Sequence, residues 1–132
     1  MAFWLLKTEP SEYSFDDLLR DRRTTWDGVT NALALKHLRA MKRSDQAMIY
    51  HTGTQRAVVG MAEVVRVSGD DKAPVVEIEP CHALRRPVGL SEIRNDRSFI
   101  GWDLLRLPRL SVVPVSEPQW KRLVELSERS EP

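Results

Sequence analysis

The sequence predicts an α+β domain in which short strands curl into a partly closed barrel flanked by short helices. One observation is the order of the patterns: a strand, two helices, several strands and a closing helix, with no internal repeat or linker. Another is Gly60 in the middle of a valine-rich strand pattern, where a small barrel needs a bulge or a close backbone approach. The length of 132 residues fits one domain. We assign residues 1–126 to it and residues 127–132 to a polar tail.

The first elements follow from local signals. Residues 3–6 are apolar and end before Glu9-Pro10, which predicts a buried strand containing Trp4. Ser14 and Asp17 form a capping-box pattern, which predicts a short helix over about residues 15–22. Asp27-Gly28 then indicates a turn.

A second helix should follow this turn, capped by Thr30 or Asn31. Strands are predicted over residues 46–51, 57–67, 75–79 and 110–115, with a helical turn near Ser91. Ser116 and Gln119 form another capping box, which predicts the closing helix.

The charge pattern limits how the chain could bind nucleic acid. Its 20 Lys and Arg against 19 Asp and Glu give a net charge of +1, whereas proteins that coat a duplex by charge alone are far more basic. Residues 28–44 nevertheless contain no acidic residue. The candidates for phosphate-backbone contacts in this stretch are Lys36, Arg39, Lys42 and Arg43. A solvated helix face explains the same pattern equally well.

The cysteine content and hydropathy favour an intracellular protein. Cys81 is the single cysteine, so no internal disulfide can form, and we expect it to be a buried, inert thiol. No stretch approaches the roughly 20 apolar residues of a membrane span, and the apolar run at residues 2–6 is too short for a signal peptide. We expect a monomer without membrane contact, in the cytoplasm, or in the nucleus if the source is eukaryotic.

Motifs for catalysis are weak. The glycines form no phosphate loop, and neither HExxH nor a paired-cysteine zinc motif occurs. Pro80-Cys81 matches half of a base-deaminase signature, but Leu84 stands where the second cysteine ligand belongs. We therefore expect no cofactor, no metal and no catalytic residue.

Several sequence blocks together resemble the EVE domain family over nearly the whole chain. They are Trp4-Leu5-Leu6-Lys7-Thr8-Glu9-Pro10, Tyr13-Ser14, Asp17-Leu18, Trp26-Asp27-Gly28-Val29 with Asn31, Ile49-Tyr50-His51, Val59-Gly60, Glu63-Val64, and Arg109-Leu110-Ser111-Val112 with Pro114-Val115. The resemblance implies a PUA-like fold. It also implies a non-enzymatic module that holds a modified base of DNA, or of RNA, in an aromatic pocket built around Lys7 and Trp26. Examples of such a base are methylated and hydroxymethylated cytosine.

The chain departs from the family pattern at a few positions. Thr30 stands where the family usually has arginine, and Ser44-Asp45 where it commonly has glycine-aspartate. The segments 53–57 and 69–74 are short. Because these loops could face the nucleic acid, the departures bear on ligand preference.

Most of the candidate base-binding residues also have a plainer structural interpretation. The candidates are Lys7, Thr8, Trp26, Asp27, Asn31, Tyr50 and His51. Trp26 could plug the barrel end, Asn31 could only cap a helix, and Asp27 could only form a turn. Tyr50 and His51 could be a buried strand end. The alternative functions are an enzyme acting on nucleic acid or nucleotides, with Lys7, Asp27 and His51 as its acid–base groups, and a protein-interaction module that uses the basic helix.

Overall fold

The computed structural model describes residues 1–129 as one sheet with helices around it. The strands are β1 (Phe3–Thr8), β2 (Thr24–Trp26), β3 (Gln46–His51), β4 (Ala57–Gly69), β5 (Pro74–Gly89) and β6 (Val112–Val115). The helices are α1 (Phe15–Asp21), α2 (Ala32–Ala40), α3 (Leu90–Arg94), α4 (Asp103–Arg106) and α5 (Glu117–Glu128), with a 3-10 turn at Arg97–Phe99.

The six strands form a curled, open sheet in the order β2-β5-β4-β3-β1-β6. β1 runs parallel to β3 and antiparallel to β6, and the remaining neighbours are antiparallel. Within residues 1–129 the edge strands β2 and β6 do not pair with each other, so the barrel stays open. This confirms the predicted α+β class and curved sheet.

Gly60 allows both a bulge and a close approach to the backbone, the two features that its position in the strand pattern predicted. The register of β4 against β3 shifts beside it, which is the mark of a bulge. A Cβ atom on Gly60 would overlap with ring atoms of Phe15. The absence of a side chain therefore lets the first residue of α1 pack directly onto β4.

Both predicted capping boxes are present. The Ser14 hydroxyl accepts from the Asp17 N–H at 3.1 Å, while an Asp17 carboxylate oxygen accepts from the Ser14 N–H at 2.9 Å. Ser116 and Gln119 form the same reciprocal pair at the start of α5. Of the two candidate caps of α2, Asn31 is the one that caps it, accepting from the Ala34 N–H at 3.0 Å.

Other sequence expectations need correction. β2, α4 and the 3-10 turn were not predicted, and β5 extends well beyond residues 75–79. α5 continues to Glu128, so Ser127, expected in the tail, is buried and its hydroxyl donates to the Val124 carbonyl at 2.7 Å. Residues 130–132 of the expected tail lie outside the described residues.

Cys81 is exposed, contrary to the expectation of a buried thiol. In β5 the neighbouring Pro80 and His82 pair with Ala62 and Met61, which are adjacent on β4, so Cys81 is the extra residue of a bulge. Partial desolvation still raises the pKa of its thiol.

Trp4 belongs to the core, as predicted. It is 6% exposed, and its indole N–H donates to a carboxylate oxygen of the buried Asp45 at 3.0 Å. None of the helices within residues 1–129 is long and apolar enough to cross a membrane.

Candidate functional site

A cavity of about 630 Å³ opens between the two ends of the curled sheet. Four segments form its wall: the end of β1, the turn after it, β2 with the following loop, and the residues before β6. The lining residues with polar or aromatic side chains are Lys7, Thr8, Glu9, Glu12, Tyr13, Thr24, Thr25, Trp26, Asp27, Thr30, Asn31, Arg109 and Ser111. We call this the first cavity.

The curl of the sheet creates the first cavity. In strand order β1 and β2 are separated by β3, β4 and β5, so a flat sheet would hold them far apart. β6 brings Ser111 to β1, because the Lys7 N–H donates to the Ser111 carbonyl at 2.9 Å. Curling then places Lys7 and Thr8 across the opening from Trp26.

Trp26 is the large aromatic side chain of this wall. It is half-buried at the end of β2, opposite Val76 of β5, where it packs against the core and also lines the first cavity. Gly28 follows with φ +72°, in the left-handed region that glycine adopts without strain. The turn keeps Asp27 exposed at the cavity rim.

Lys7, near the end of β1, lines the first cavity. Its ammonium donates to the Pro108 carbonyl at 2.9 Å and lies 5.9 Å from the centre of the Tyr50 ring. Burial lowers the pKa of this lysine from its usual value. Next to it, the Thr8 hydroxyl donates to the Tyr13 carbonyl at 2.7 Å, which fixes the turn after β1.

Charges of both signs line the first cavity. Lys7 and Arg109 face the carboxylates of Glu9, Glu12 and Asp27. Hydrogen bonds to Glu9, first that from the Ser11 N–H, lower the pKa of its carboxyl. Such a surface suits a ligand that offers donors and acceptors, such as the edge of a base, better than it suits a bare phosphate.

The structure brings together some of the predicted base-binding residues and not others. Lys7, Thr8, Trp26, Asp27 and Asn31 all line the first cavity. Tyr50 and His51 are buried outside it. Tyr50 lies beneath Lys7, and His51 contacts α1. The ligand role of each residue stays a prediction.

His51 has both ring nitrogens engaged. Its Nε2 accepts from the Phe15 N–H at 3.0 Å, and its Nδ1 lies 2.7 Å from the Gln55 side-chain oxygen. The proton therefore sits on Nδ1. Of the acid–base set that an enzyme would need, Lys7 and Asp27 share the first cavity, while His51 lies apart.

The basic residues of the second helix lie away from the first cavity. Lys36, Arg39, Lys42 and Arg43 are exposed, and none of them lines it. α2 starts at Asn31 on the rim, and Arg39 follows about 12 Å along the helix axis. The Arg39 guanidinium donates to the Asp71 carbonyl at 2.6 Å, which links α2 to the β4–β5 turn.

Sequence reasoning missed several residues of the cavity wall. Glu9, Tyr13, Arg109 and Ser111 all stand inside the sequence blocks that resemble the family, so that signal was present. Thr24 and Thr25 stand outside these blocks, and the short edge strand β2 that contains them was not predicted. Among residues 1–129, no group of three or more His, Cys, Asp or Glu side chains is arranged to hold a metal ion.

Comparisons with known proteins agree with this fold. The model of the EVE domain matches residues 2–126. Thymocyte nuclear protein 1 of Rattus norvegicus is 26% identical over an alignment that covers 96% of this chain and 74% of the relative. Rpa0253 of Rhodopseudomonas palustris superposes with a TM-score of 0.90 at 32% identity, covering 96% of this chain and 93% of that one.

A further solved structure is the human THYN1 protein in complex with DNA containing 5-methylcytosine. It has a TM-score of 0.92 at 22% identity and covers 99% of this chain and 100% of its own. At that identity the likeness is one of fold. Together the matches confirm the PUA-like fold that the sequence resemblance implied.

Proposed function

Because the chain belongs to the EVE domain family, we propose that it binds nucleic acid and holds one base, extruded from its strand, in the first cavity. The human THYN1 protein, which shares the fold, binds DNA that contains 5-methylcytosine. For this chain we infer a modified cytosine, methylated or hydroxymethylated, in DNA in preference to RNA. The domain acts as a binder and not as an enzyme.

The observation that carries this proposal is the position of Trp26 in a polar cavity of base-compatible size. A volume of about 630 Å³ lies within the range of small-ligand sites. Stacking a base on an aromatic ring contributes about 1–3 kcal/mol and does not depend on sequence. Trp26 offers such a ring at the cavity wall, held by its packing against the core.

Polar groups near Trp26 complement the edge of cytosine. Asp27 offers carboxylate oxygens that can accept from an exocyclic amino group. The Asn31 side-chain oxygen is occupied by the Ala34 N–H, which leaves its NH₂ group as a donor. A base that presents an amino donor beside ring acceptors fits this pair, and cytosine is such a base.

The magnitudes predict modest affinity. Extrusion of a base from a duplex costs a few kcal/mol, which roughly offsets the stacking on Trp26. Burial of a methyl group adds about 0.8 kcal/mol, or about fourfold in affinity. A hydroxymethyl group can discriminate more strongly, because it can satisfy a buried polar group that is otherwise unpaired.

A titration with matched oligonucleotides tests the proposal. The ligands are short single strands and duplexes that differ only at one cytosine, which is unmodified, methylated or hydroxymethylated, together with the RNA equivalent. We expect tighter binding of a modified DNA strand, and loss of this preference in Trp26→Ala. Equal and Trp26-independent affinity for every oligonucleotide would overturn the proposal.

A further inference from the structure

A second cavity of about 320 Å³ lies on the other side of Lys7. Lys7, Arg56 and Arg94 supply three cationic side chains to its wall, and Tyr50 lies among them. No acidic side chain lines it within the described part of the chain, in contrast to the first cavity with its three carboxylates. Lys7 is the lining residue that the two cavities share.

The fold holds Arg56 at this cavity under backbone strain. Arg56 has φ +47°, in the left-handed region, which is strained for a non-glycine residue. Its Nε donates to the Gly53 carbonyl at 3.2 Å, and its own carbonyl accepts from the Leu90 N–H at 2.8 Å. These contacts fix the turn between β3 and β4, so the guanidinium is held near the mouth of the second cavity.

Arg94 supplies an available cation from the opposite wall. It is the last residue of α3 and is exposed. Within residues 1–129 its side chain forms neither a hydrogen bond nor an ion pair, whereas Arg86 of the preceding strand is paired with Glu92. A guanidinium with free donors at a cavity mouth is suited to bidentate binding of a phosphate.

The environment of Tyr50 indicates that both arginines converge on this cavity. Burial raises the pKa of the Tyr50 hydroxyl, while the charges of Arg56 and Arg94 act in the opposite direction. Both guanidinium groups are therefore close enough to act on the same hydroxyl. The carboxylate of Glu9 accepts from the Thr52 hydroxyl at 3.2 Å and lines the first cavity, not the second.

We propose that the second cavity binds a backbone phosphate of the nucleic acid strand, the one next to the base held in the first cavity. The inference rests on the proposed function, and it divides the nucleotide between two sites: the base beside Trp26 and its phosphate among Lys7, Arg56 and Arg94. Because the first cavity carries three carboxylates, the phosphate has its favourable site in the second.

The test combines a variant with a neutralised linkage. Arg94→Gln removes one cation, and Arg85→Gln is the matched control, since Arg85 is exposed and lines neither of these cavities. The probe is single-stranded DNA with one 5-methylcytosine. In sister strands the linkage on the 5′ or the 3′ side of that base is an uncharged methylphosphonate.

We expect Arg94→Gln to weaken binding of the all-phosphate strand about fivefold, and Arg85→Gln to change it by less than about twofold. One of the two methylphosphonate strands should bind wild type more weakly to a similar degree. The same substitution should leave the affinity of Arg94→Gln unchanged, because this variant already lacks the cation that contacts the phosphate. The slope of log Kd against log salt should fall by about 0.7 in Arg94→Gln. Equal effects of the two variants, or additive losses from variant and linkage, would overturn the phosphate site.

Two further measurements separate this inference from the proposed function. Trp26→Ala, tested with intact linkages, reports on the base alone, so its loss of affinity can stand while Arg94→Gln has no effect. Inorganic phosphate at constant ionic strength should compete with the strand for wild type and not for Arg94→Gln. If inorganic phosphate binds in an Arg94-dependent way and the wild-type protein binds no oligonucleotide, the second cavity is a site for free anions. That result would overturn the inference.

Discussion

The backbone N–H of Phe15 donates to Nε2 of His51 at 3.0 Å, which ties the start of α1 to the end of β3. Tyr13 and Ser14 lie in the turn just before α1. The Tyr13 carbonyl in that turn accepts from the Thr8 hydroxyl, and Tyr13 lines the first cavity. His51 thus positions one wall of the first cavity from behind. It does not line that cavity itself.

We predict that His51→Leu lowers the free energy of unfolding by about 1–3 kcal/mol, because the buried Phe15 N–H loses its acceptor. The affinity for oligonucleotides, measured well below the melting temperature, should stay within about twofold of wild type. Denaturant unfolding and a binding titration check both values. A folded His51→Leu protein with wild-type stability and abolished binding would place His51 in the binding site and contradict this role.

Asp45 gives the fold a dependence on acid. Its carboxylate accepts from the Ala2 N–H at 3.0 Å, from the Trp4 indole at 3.0 Å and from the Lys42 N–H at 2.9 Å. Burial alone would raise the pKa of this carboxyl, but these hydrogen bonds prevail and lower it. Asp45 therefore stabilises the fold above its unfolded pKa of about 3.9, and this stabilisation is lost as the pH falls through the folded pKa.

We predict that Asp45→Asn costs about 1–3 kcal/mol of unfolding free energy near neutral pH. The difference from wild type should narrow as the pH falls below about 4, because the carboxyl of the unfolded chain takes up a proton before that of the folded protein does. Urea unfolding across the acidic range checks this. A difference that is constant with pH would show that the ionised form of Asp45 has no special role.

Ser44 is one of three non-glycine residues with positive φ within the described residues, together with Arg22 and Arg56. It has φ +78°, and its N–H donates to the Val64 carbonyl at 2.8 Å. The left-handed conformation costs a serine about 1–2 kcal/mol, and glycine avoids most of that cost while losing more entropy on folding. We predict that Ser44→Gly stabilises the protein by about 0.5–1 kcal/mol.

Ser91→Gly is the control for Ser44→Gly, since Ser91 is also exposed but helical. It should destabilise the protein by a few tenths of a kcal/mol to about 1 kcal/mol. Thermal or denaturant unfolding compares the two variants. If both substitutions are destabilising, the strain at Ser44 does not have the predicted energetic effect.

The salt dependence of binding tests the basic segment of α2. With a net charge of +1 and few cations near the cavities, we predict a slope of log affinity against log salt of about −2 to −4. Reversing the charges of Arg39 and Lys42 together should flatten it further. Titrations over a series of salt concentrations measure the slope. Wild-type binding by the double variant at low salt would mean that this segment is only a solvated surface.

Local sequence signals predicted the helices that begin with a capping box and the strands with a clear pattern of apolar residues. Ser14 with Asp17 and Ser116 with Gln119 identified two helices correctly, because a capping box is read within four residues. β2 was not predicted because three residues are too few to show the alternation of a strand. Its stability comes from pairing with β5, which is distant in the sequence. β5 was cut short because Pro80 and Pro87 resemble strand ends, although bulges accommodate such residues inside it.

The candidate site was only partly predictable for the same reason. Lys7 and Trp26 come together through the curl of the whole sheet, and Arg109 joins them through the pairing of β6 with β1. Neither arrangement has a local signature. The family resemblance predicted that Lys7 and Trp26 share a site, whereas Arg109 was missed. Tyr50 and His51 are both buried because β3 is covered on both faces, which alternation along one strand cannot reveal.

The central claim is that Trp26 stacks on a base whereas Trp4 supports the core, and one paired measurement tests it. Trp26→Ala and Trp4→Ala are each measured for unfolding and for affinity to a strand with one 5-methylcytosine. We predict that Trp26→Ala loses about 1–3 kcal/mol of binding, or about 5- to 150-fold in affinity, at a cost of about 1 kcal/mol in stability. Trp4→Ala should lose about 3–5 kcal/mol of stability instead. A folded Trp26→Ala protein that binds the strand as tightly as wild type would contradict the account.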